Sequence, residues 1–484
     1  MHIAARPPRG LAQSLTLTLI LAVVPAAALP SRPSTPTALA LADTVSEPPV
    51  PTGEPGGDDV EELKRAVAAL QEELARLKEG GGAEDEKIAE LERRIDLLAV
   101  EIEKLRTGGA VAETPLQGSK GLGPAASTVY RKDRGVAIGG YGEALYTNHA
   151  ELRQDERPSG KTDEFDFLRA VFYIGYKFSD SILFNSEIEV EHASTDEGGS
   201  VSVEFAYLEF QKRPEIGLRA GMLLVPVGFV NELHEPPVFH GARRPEVERA
   251  IIPTTWRENG AGLFGAAGPF EYRGYALVGL RSSGFSAAGI RGGRQKGAKS
   301  QAEDFALTGR LDFVGVSGLL LGGSFYTGHS GQGATVDDRT IRGRVDLFDL
   351  HGQLEYRGLQ LRALWTHSTI GDVSLVNLQN ELRGDESVGE VQGGWYLEAA
   401  FDVMSLKPKG RWSITPFVRY EELGTQKEVP EGWENDPAWE RSLLTGGIEI
   451  KPVPQVVFKL DYQVVKDDAR TGVNRFNVAL GYLF

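Results

Sequence analysis

Apolar and polar residues alternate with a period of two from about residue 135 to the last residue of the chain. In the stretch "ILFNSEIEVEH", residues 182–192, one face carries Ile182, Phe184, Ile188 and Val190, and the other face is mostly acidic. Successive side chains of a β-strand point to opposite faces, so this period indicates strands. The pattern predicts sixteen strands, at 135–147, 165–178, 182–192, 200–211, 215–225, 260–267, 270–281, 304–313, 319–327, 343–356, 359–368, 391–403, 411–423, 442–451, 455–466 and 473–484.

The connections between the predicted strands also alternate, in their length. The joins after even-numbered strands are short, such as "GP" and "RG". Most joins after odd-numbered strands are long and polar, at 148–164, 226–259, 282–303, 369–390 and 424–441. Tight turns at one rim and long loops at the other are typical of a closed up-and-down barrel whose two chain ends lie at the short-turn rim.

A barrel of sixteen strands is too wide for its own side chains to fill. Its apolar face must therefore point outward to lipid and its polar face inward, and closure leaves no unpaired strand edge in the hydrocarbon. The predicted fold class is all-β, a 16-stranded antiparallel transmembrane β-barrel preceded by a helical coiled-coil segment. The final strand, "RFNVALGYLF", places Phe476, Tyr482 and Phe484 on its lipid face, and we expect the outer-membrane assembly machinery to read this pattern as an assembly signal.

The first residues have the composition of an export signal. Arg6 and Arg9 precede an apolar run that is too short to span a bilayer, and small residues follow it. Residues 1–28 are predicted to be a signal peptide, with cleavage after residue 42 as the alternative. Residues 29–58, rich in Pro, Ser, Thr and Gly, are predicted to be a flexible linker.

Residues 59–107 carry apolar residues at alternating spacings of three and four, in two blocks that share one heptad register across Gly80-Gly81-Gly82. This pattern predicts a coiled coil. An antiparallel helical hairpin that uses the glycines as its loop also fits the pattern. The core residue types favour two strands, whereas the barrel architecture favours three, and the sequence leaves both open. A second linker at 108–133 then leads to the barrel at 134–484.

Composition excludes several functions. The chain has no cysteine, which excludes disulfides, thiolate zinc sites and cysteine nucleophiles. Its net charge of -16 argues against nucleic acid as a partner. The stretch "LHEPPVFH" has two histidines and a glutamate, but its prolines and spacing do not match a helical zinc motif. We therefore predict no catalytic residue, no metal site and no cofactor, and no enzyme activity.

The export signal, the sixteen-strand pattern and the terminal aromatic strand resemble those of the general bacterial porins over residues 135–484. The stretch from Gly221 to Gly265, "GMLLVPVGFVNELHEPPVFHGARRPEVERAIIPTTWRENGAGLFG", resembles the corresponding segment of the phosphate-selective porin O/P family. The heptads are similar to the periplasmic coiled-coil extensions of some trimeric sugar and organic-acid porins. The resemblance implies a homotrimer in the bacterial outer membrane, surrounded by lipid, that transports solutes passively.

In porins of this design the third long loop folds into the lumen. The corresponding connection here, 226–259, is the longest, with acidic residues toward its start and arginines later. We expect opposite charges to face each other across a constriction. An exposed surface loop with solvated charges is the alternative. The candidate constriction residues are Glu232, Glu235, Arg243, Arg244, Arg249 and Arg257.

Strand parity also predicts which cations face the lumen from the barrel wall. Cross-strand salt bridges that stiffen the wall are the alternative role for each of them. The candidates are Arg169, Arg219, Arg273, Arg310, Arg362, Arg419 and Lys459.

The predicted function is a water-filled channel for passive diffusion of small hydrophilic solutes and ions. An anion-selective or phosphate-selective porin is the first alternative, although inward acidic residues are about as numerous as basic ones. A barrel that anchors the outer membrane to the cell wall through the coiled coil is the second alternative.

Overall fold

The computed structural model describes residues 118–196, 198–407 and 412–484. The predicted signal peptide, first linker and coiled coil lie outside the described residues. Sixteen strands form one closed antiparallel barrel, in which each strand pairs with its neighbours along the chain and the last strand pairs with the first. The predicted fold class is confirmed for the barrel.

Every predicted strand has a counterpart in the barrel. The strands are β1 (Gly135–His149), β2 (Glu164–Ser179), β3 (Ile182–Glu191), β4 (Ser200–Arg213), β5 (Ile216–Leu224), β6 (Arg257–Ala267), β7 (Phe270–Val278), β8 (Phe305–Val316), β9 (Leu319–Gly328), β12 (Val345–Tyr356), β13 (Leu359–Ile370), β14 (Val391–Phe401), β15 (Ser413–Glu428), β16 (Glu440–Val453), β17 (Val456–Asp467) and β18 (Arg475–Leu483). Two-residue strands β10 (Thr335–Val336) and β11 (Arg339–Thr340) form a small hairpin within one connection.

The two α-helices of the described residues both lie in long connections. Helix α1 (Glu246–Ala250) lies between β5 and β6, and α2 (Val373–Gln379) lies between β13 and β14. None of the described helices has the length and apolar character needed to cross a bilayer.

The alternating sequence places apolar side chains on the outside of the barrel. In β2, Phe172, Ile174 and Phe178 are 41–46% exposed, whereas Val171 and Tyr173 point inward and are 1% exposed. The three aromatic residues of the final strand named above, Phe476, Tyr482 and Phe484, also point outward. An outer surface of exposed Phe, Leu, Ile and Val is stable against lipid and unfavourable in water.

The long connection between β5 and β6, residues 225–256, folds inside the barrel and is called the inner loop below. Val225, Val227, Ile251 and Ile252 in this loop are fully buried, as is Trp256 at its end. Aliphatic and aromatic residues of the loop therefore form an apolar core within the bore, where the strand pattern predicts mainly polar side chains and water.

A second segment also lies in the bore. Residues 118–131, called the N-terminal plug below, end in a 3-10 turn, Thr128–Arg131, just before β1. Leu122, Ala125 and Val129 of the plug are buried. The Asn185 side chain of β3 donates a hydrogen bond of 2.9 Å to the carbonyl oxygen of Ala126. The end of the predicted linker 108–133 is thus part of the barrel interior.

Candidate functional site

Four of the predicted wall cations hold the backbone of the inner loop. Lys459 Nζ donates hydrogen bonds of 2.7 and 2.9 Å to the carbonyl oxygens of Phe239 and Gly241. Arg419 donates to the carbonyl oxygens of His240 and Arg243, each at 3.1 Å. Similar bonds run from Arg362 to Val238 and from Arg310 to Gly228.

These four cations point inward, as strand parity predicts, but their charged ends meet protein rather than open water. Arg419 and Lys459 are at most 1% exposed. A guanidinium or ammonium group that donates to buried carbonyl oxygens satisfies acceptors that would otherwise lack partners. The geometry gives these residues a role in positioning the inner loop.

Two further wall cations form ion pairs within the bore. Arg219 Nε lies 2.9 Å from Glu209 of β4. Arg273 lies 2.7 Å from Asp312 of β8 and 3.4 Å from Glu232 of the inner loop. Arg219 and Arg273 thus form the cross-strand salt bridges that are the alternative role of the wall cations.

Three of the predicted constriction residues are also engaged in buried contacts. Glu232 pairs with Arg273, as above. Glu235 accepts hydrogen bonds from the backbone N–H groups of Ala125 and Ala126 and so joins the inner loop to the N-terminal plug. Burial raises the pKa of Glu235 to about 7, although these backbone bonds oppose the shift.

Arg257 is the first residue of β6 and not part of the loop, because this strand begins three residues before its predicted start. Its guanidinium lies 2.9 Å from Glu204 of β4. Glu232, Glu235 and Arg257 are thus not brought to the same place as the loop arginines.

The other three predicted loop residues, Arg243, Arg244 and Arg249, line one cavity of about 410 Å³. Four more arginines complete this lining, from β2, β16, β18 and the connection between β7 and β8. The arginine chamber, as it is called below, contains Arg169, Arg243, Arg244, Arg249, Arg291, Arg441 and Arg475, with Glu143 and Glu246 as its acidic members. Since Arg441 and Arg475 stand where even-numbered barrel strands begin after long connections, the chamber lies at the long-loop rim.

Four arginines of the chamber have no carboxylate within 4.0 Å among the described residues: Arg243, Arg244, Arg291 and Arg475. Neutral oxygens are their partners instead. Arg243 donates to the Thr147 hydroxyl at 2.8 Å, Arg244 to the Thr255 hydroxyl at 3.0 Å, and Arg475 to the Gln463 side chain at 2.5 Å. One terminal nitrogen of Arg244 is buried without a hydrogen-bond partner in the described chain.

This excess of positive charge helps to lower the pKa values of two chamber residues, Arg291 and Glu246. Burial, followed by the nearby Arg294, Arg249 and Arg244, lowers the pKa of Arg291 to about 9. For Glu246 the same positive charges favour the ionised form. Burial alone would raise its pKa, but hydrogen bonds of 2.6 and 2.7 Å from Arg249, together with Arg441 at 2.8 Å, lower the pKa to about 2.

Such a chamber can bind and pass anions. Guanidinium groups present planar pairs of N–H donors that match the oxygens of carboxylates, phosphates and sulfates. A low-dielectric wall that carries one sign of charge concentrates counter-ions at its mouth.

Five members of the chamber are not among the predicted site residues: Glu143, Glu246, Arg291, Arg441 and Arg475. Parity places Arg475 opposite Phe476 and hence inward, so this signal was available in the sequence. The sequence does not show which strands and loops meet at one rim position, and Arg291 lies in a connection without regular alternation.

No family model matches the chain. Among solved structures, it is similar to OmpT of Vibrio cholerae lacking loop L8, with 10% identity over 73% of this chain and 100% of that chain and a TM-score of 0.48. The outer membrane channel DcaP of Acinetobacter baumannii has 13% identity over 72% and 97% of the two chains, with a TM-score of 0.48. The anion-selective porin from Comamonas acidovorans has 9% identity over 72% and 99%, with a TM-score of 0.46. At these TM-scores the likenesses do not bear on function.

Sequence comparison finds a much nearer relative. A protein of Aquifex aeolicus (strain VF5), described as an uncharacterized protein, is 38% identical over 359 residues, which span 72% of this chain and 79% of the relative. The chain belongs to the same family as this Aquifex aeolicus protein.

Proposed function

We propose that the protein is a passive outer-membrane channel for small hydrophilic solutes, and that its arginine chamber makes it prefer anions. The arginine chamber is the observation that carries this proposal. Seven arginines face two glutamates there, and four of the arginines have only neutral partners among the described residues.

Two features of the barrel support the membrane location. Its outer face is apolar along the strands, as lipid requires, and its hydrogen-bonded ring has no open edge. The predicted export signal and the resemblance to bacterial porins point to the outer membrane and to a homotrimer.

The anion preference follows from Coulomb's law at short range. An anion about 6 Å from one unpaired guanidinium gains about 0.7 kcal/mol even at the dielectric constant of water, which is about a threefold change in occupancy. Several such groups around one narrow space act together, whereas distant surface charges are screened by salt beyond about 10 Å. Cations meet the opposite energy at the same place.

Reversal potentials test the proposal directly. The mature protein is reconstituted in planar bilayers, and single-channel currents are recorded across a gradient of KCl. We expect stepwise openings and a reversal potential of the sign set by chloride, with a larger magnitude at low salt. Adding inorganic phosphate to one side then distinguishes general from phosphate-selective transport, because only a specific phosphate site would block the chloride current at low phosphate concentration.

Other outcomes would contradict the proposal. A reversal potential of the sign set by potassium would exclude an anion preference at the chamber. An absence of openings from correctly folded barrels would exclude a channel and favour the anchoring function instead. Cross-linking in detergent would show whether the assembly contains three chains.

A further inference from the structure

A buried cluster of potential metal ligands lies away from the arginine chamber. Glu187 of β3, Glu204 of β4 and His234 of the inner loop bring one imidazole nitrogen and two carboxylate oxygens within 4.8 Å of one another. Their side chains are at most 2% exposed. We propose that these three residues bind a divalent transition-metal ion, best matched by Zn²⁺, which fastens the inner loop to the barrel wall.

The distances suit a small ion with nitrogen and oxygen ligands. His234 Nε2 lies 3.0 Å from Glu187 Oε1 and 3.6 Å from Glu204 Oε2. Ligands that stand about 2.0–2.1 Å from a tetrahedral zinc ion are about 3.3–3.4 Å apart. Small rotations of the side chains would therefore bring all three ligands to one ion and leave a fourth position for water.

Unsatisfied oxygens provide a second, independent observation. Glu187 Oε2 and Glu204 Oε2 are buried and have no hydrogen-bond partner in the described chain. The other oxygen of Glu204 is occupied by Arg257 at 2.9 Å. Buried carboxylate oxygens without partners are costly, and a bound cation is one of the few ways to satisfy them.

The histidine is already oriented as a metal ligand. Its Nδ1 lies 3.0 Å from the carbonyl oxygen of Asn231, so the tautomer with the proton on Nδ1 directs the Nε2 lone pair toward the two carboxylates. The Asn231 side chain is itself fixed, because it donates to the carbonyl oxygens of Val225 and Trp256 and accepts from the Trp256 N–H. The Asn231 residue that accepts the His234 hydrogen bond is thus held in place by other residues of the inner loop.

A β-bulge delivers one of the carboxylates. Glu187 pairs with Phe205 and the next residue, Ile188, pairs with Val203, so Glu204 is an extra residue in β4. Both Glu204 and Phe205 consequently point into the bore, where strict alternation would have turned one of them toward lipid. Bulges commonly redirect a side chain in this way beside functional sites.

The sequence alone does not predict this site, because its ligands come from two strands and a loop that are distant along the chain. An imidazolium held between two carboxylates would make the same contacts without any metal. The test must therefore distinguish a bound ion from a bound proton, and it does not depend on whether the channel conducts.

Metal content after refolding tests the proposal. Because the ligands are buried, the full chain is unfolded, stripped of metal with EDTA, and refolded into detergent with or without one equivalent of ZnCl₂. After desalting, elemental analysis should give about one zinc per chain. Protein refolded with zinc should also unfold at a higher urea concentration than protein refolded without it.

Two ligand variants and one matched control complete the experiment. His234→Gln and Glu204→Gln should each lower the zinc affinity at least about 100-fold, since even the loss of an outer-shell partner costs 10- to 100-fold. His240→Gln is the control: His240 is a buried histidine of the same loop, with one carboxylate at 3.5 Å, and its variant should keep one zinc per chain. Heat-modifiable migration in gels confirms that each variant is folded. Zinc-free wild type after refolding with ZnCl₂, or equal zinc content in folded wild type and His234→Gln, would overturn the proposal.

Discussion

Arg244 shows most clearly that the arginine chamber holds guanidinium groups without a carboxylate partner among the described residues. It donates one hydrogen bond to the Thr255 hydroxyl at 3.0 Å, and another of its nitrogens is buried without a partner in the described chain. A guanidinium in this state can accept an anion without first giving up a carboxylate. Arg249, by contrast, is already bound to Glu246 through two hydrogen bonds.

Replacing Arg244 should therefore weaken the anion preference of the channel. We expect Arg244→Gln to lower the ratio of chloride to potassium permeability about threefold or more, because one unit charge is lost from the narrow chamber. Reversal potentials in a KCl gradient give this ratio. Arg157→Gln removes an exposed arginine of the first long connection and should leave the ratio nearly unchanged. Equal effects of the two substitutions would show that the chamber does not set selectivity.

Glu246 should act in the opposite direction, with an unusual dependence on pH. Its carboxylate weakens the positive chamber, so Glu246→Gln should raise the chloride preference. Since Arg249 and Arg441 lower the pKa of Glu246 to about 2, the wild-type group stays ionised at pH 4. The difference between wild type and variant should thus be as large at pH 4 as at pH 7, and it should decrease only as the pH falls toward 2.

This comparison separates Glu246 from the other acidic groups of the bore, because their protonation affects both proteins alike. An ordinary glutamate would lose most of its charge between pH 5 and 4. A difference that disappears over that interval would show that the two arginines do not hold the carboxylate as described. The same lowered pKa means that the ion pairs of Glu246 stabilise the fold above about pH 4.5 and that this stabilisation is lost as the pH falls through about 2.

At the scale of elements, the inner loop owes its position to the barrel wall. Lys459 of β17 holds two carbonyl oxygens of the loop and lies 3.8 Å from the centre of the Phe239 ring. A methionine would keep most of the side-chain volume but donate nothing. The two carbonyl oxygens would then lose a charged donor inside a buried region.

Lys459→Met should loosen the inner loop and destabilise the barrel. Hydrogen bonds to charged groups contribute roughly 1.5–3 kcal/mol, and we expect a loss of about that size in the free energy of unfolding. Urea titration in detergent measures this loss, and single-channel recordings should show noisier currents. Lys466→Met, at an exposed position of the same strand, should change neither stability nor noise.

The strands could be predicted from the sequence because a period of two is a local property. Even the alternation of short and long connections could be read directly, since it needs only the strand positions. Boundaries were less secure: β6 begins at Arg257, three residues before the predicted start, and this moved Arg257 from the loop to the wall. Strand parity correctly predicted that the side chains of Arg419 and Lys459 point inward.

What the inward residues contact could not be predicted in the same way. Arg419 bonds to His240, far away in the sequence, and Glu204 turns inward only because of a bulge. Such contacts depend on where the inner loop crosses the bore. The N-terminal plug was missed because its Gly-rich and Ala-rich sequence has no period, although Gly123 packs so closely on Glu235 that an added Cβ would lie 2.5 Å from its carboxyl carbon.

At the scale of the whole molecule, the N-terminal plug and the inner loop share one bore, so the plug should limit the current. A shortened chain that begins at residue 132 lacks the plug, and we expect a larger single-channel conductance from it than from the full mature chain. A chain that begins at residue 118 keeps the plug and is the matched control, with unchanged conductance. Equal conductance of all three would show that the plug lies outside the path of the ions.

The outer face of the barrel allows a final prediction, which concerns lipid. Leu350 lies in the middle of β12 and is 63% exposed, whereas Tyr356 ends the same strand at the short-turn rim and is 60% exposed. An arginine near the bilayer midplane costs about 2–4 kcal/mol, but near the interface it costs about 0–1 kcal/mol. Leu350→Arg should therefore destabilise the barrel in lipid vesicles much more than Tyr356→Arg, as measured by urea titration. Because the two positions are almost equally exposed, only a surrounding membrane makes their costs differ, and equal costs would mean that this apolar face does not meet lipid.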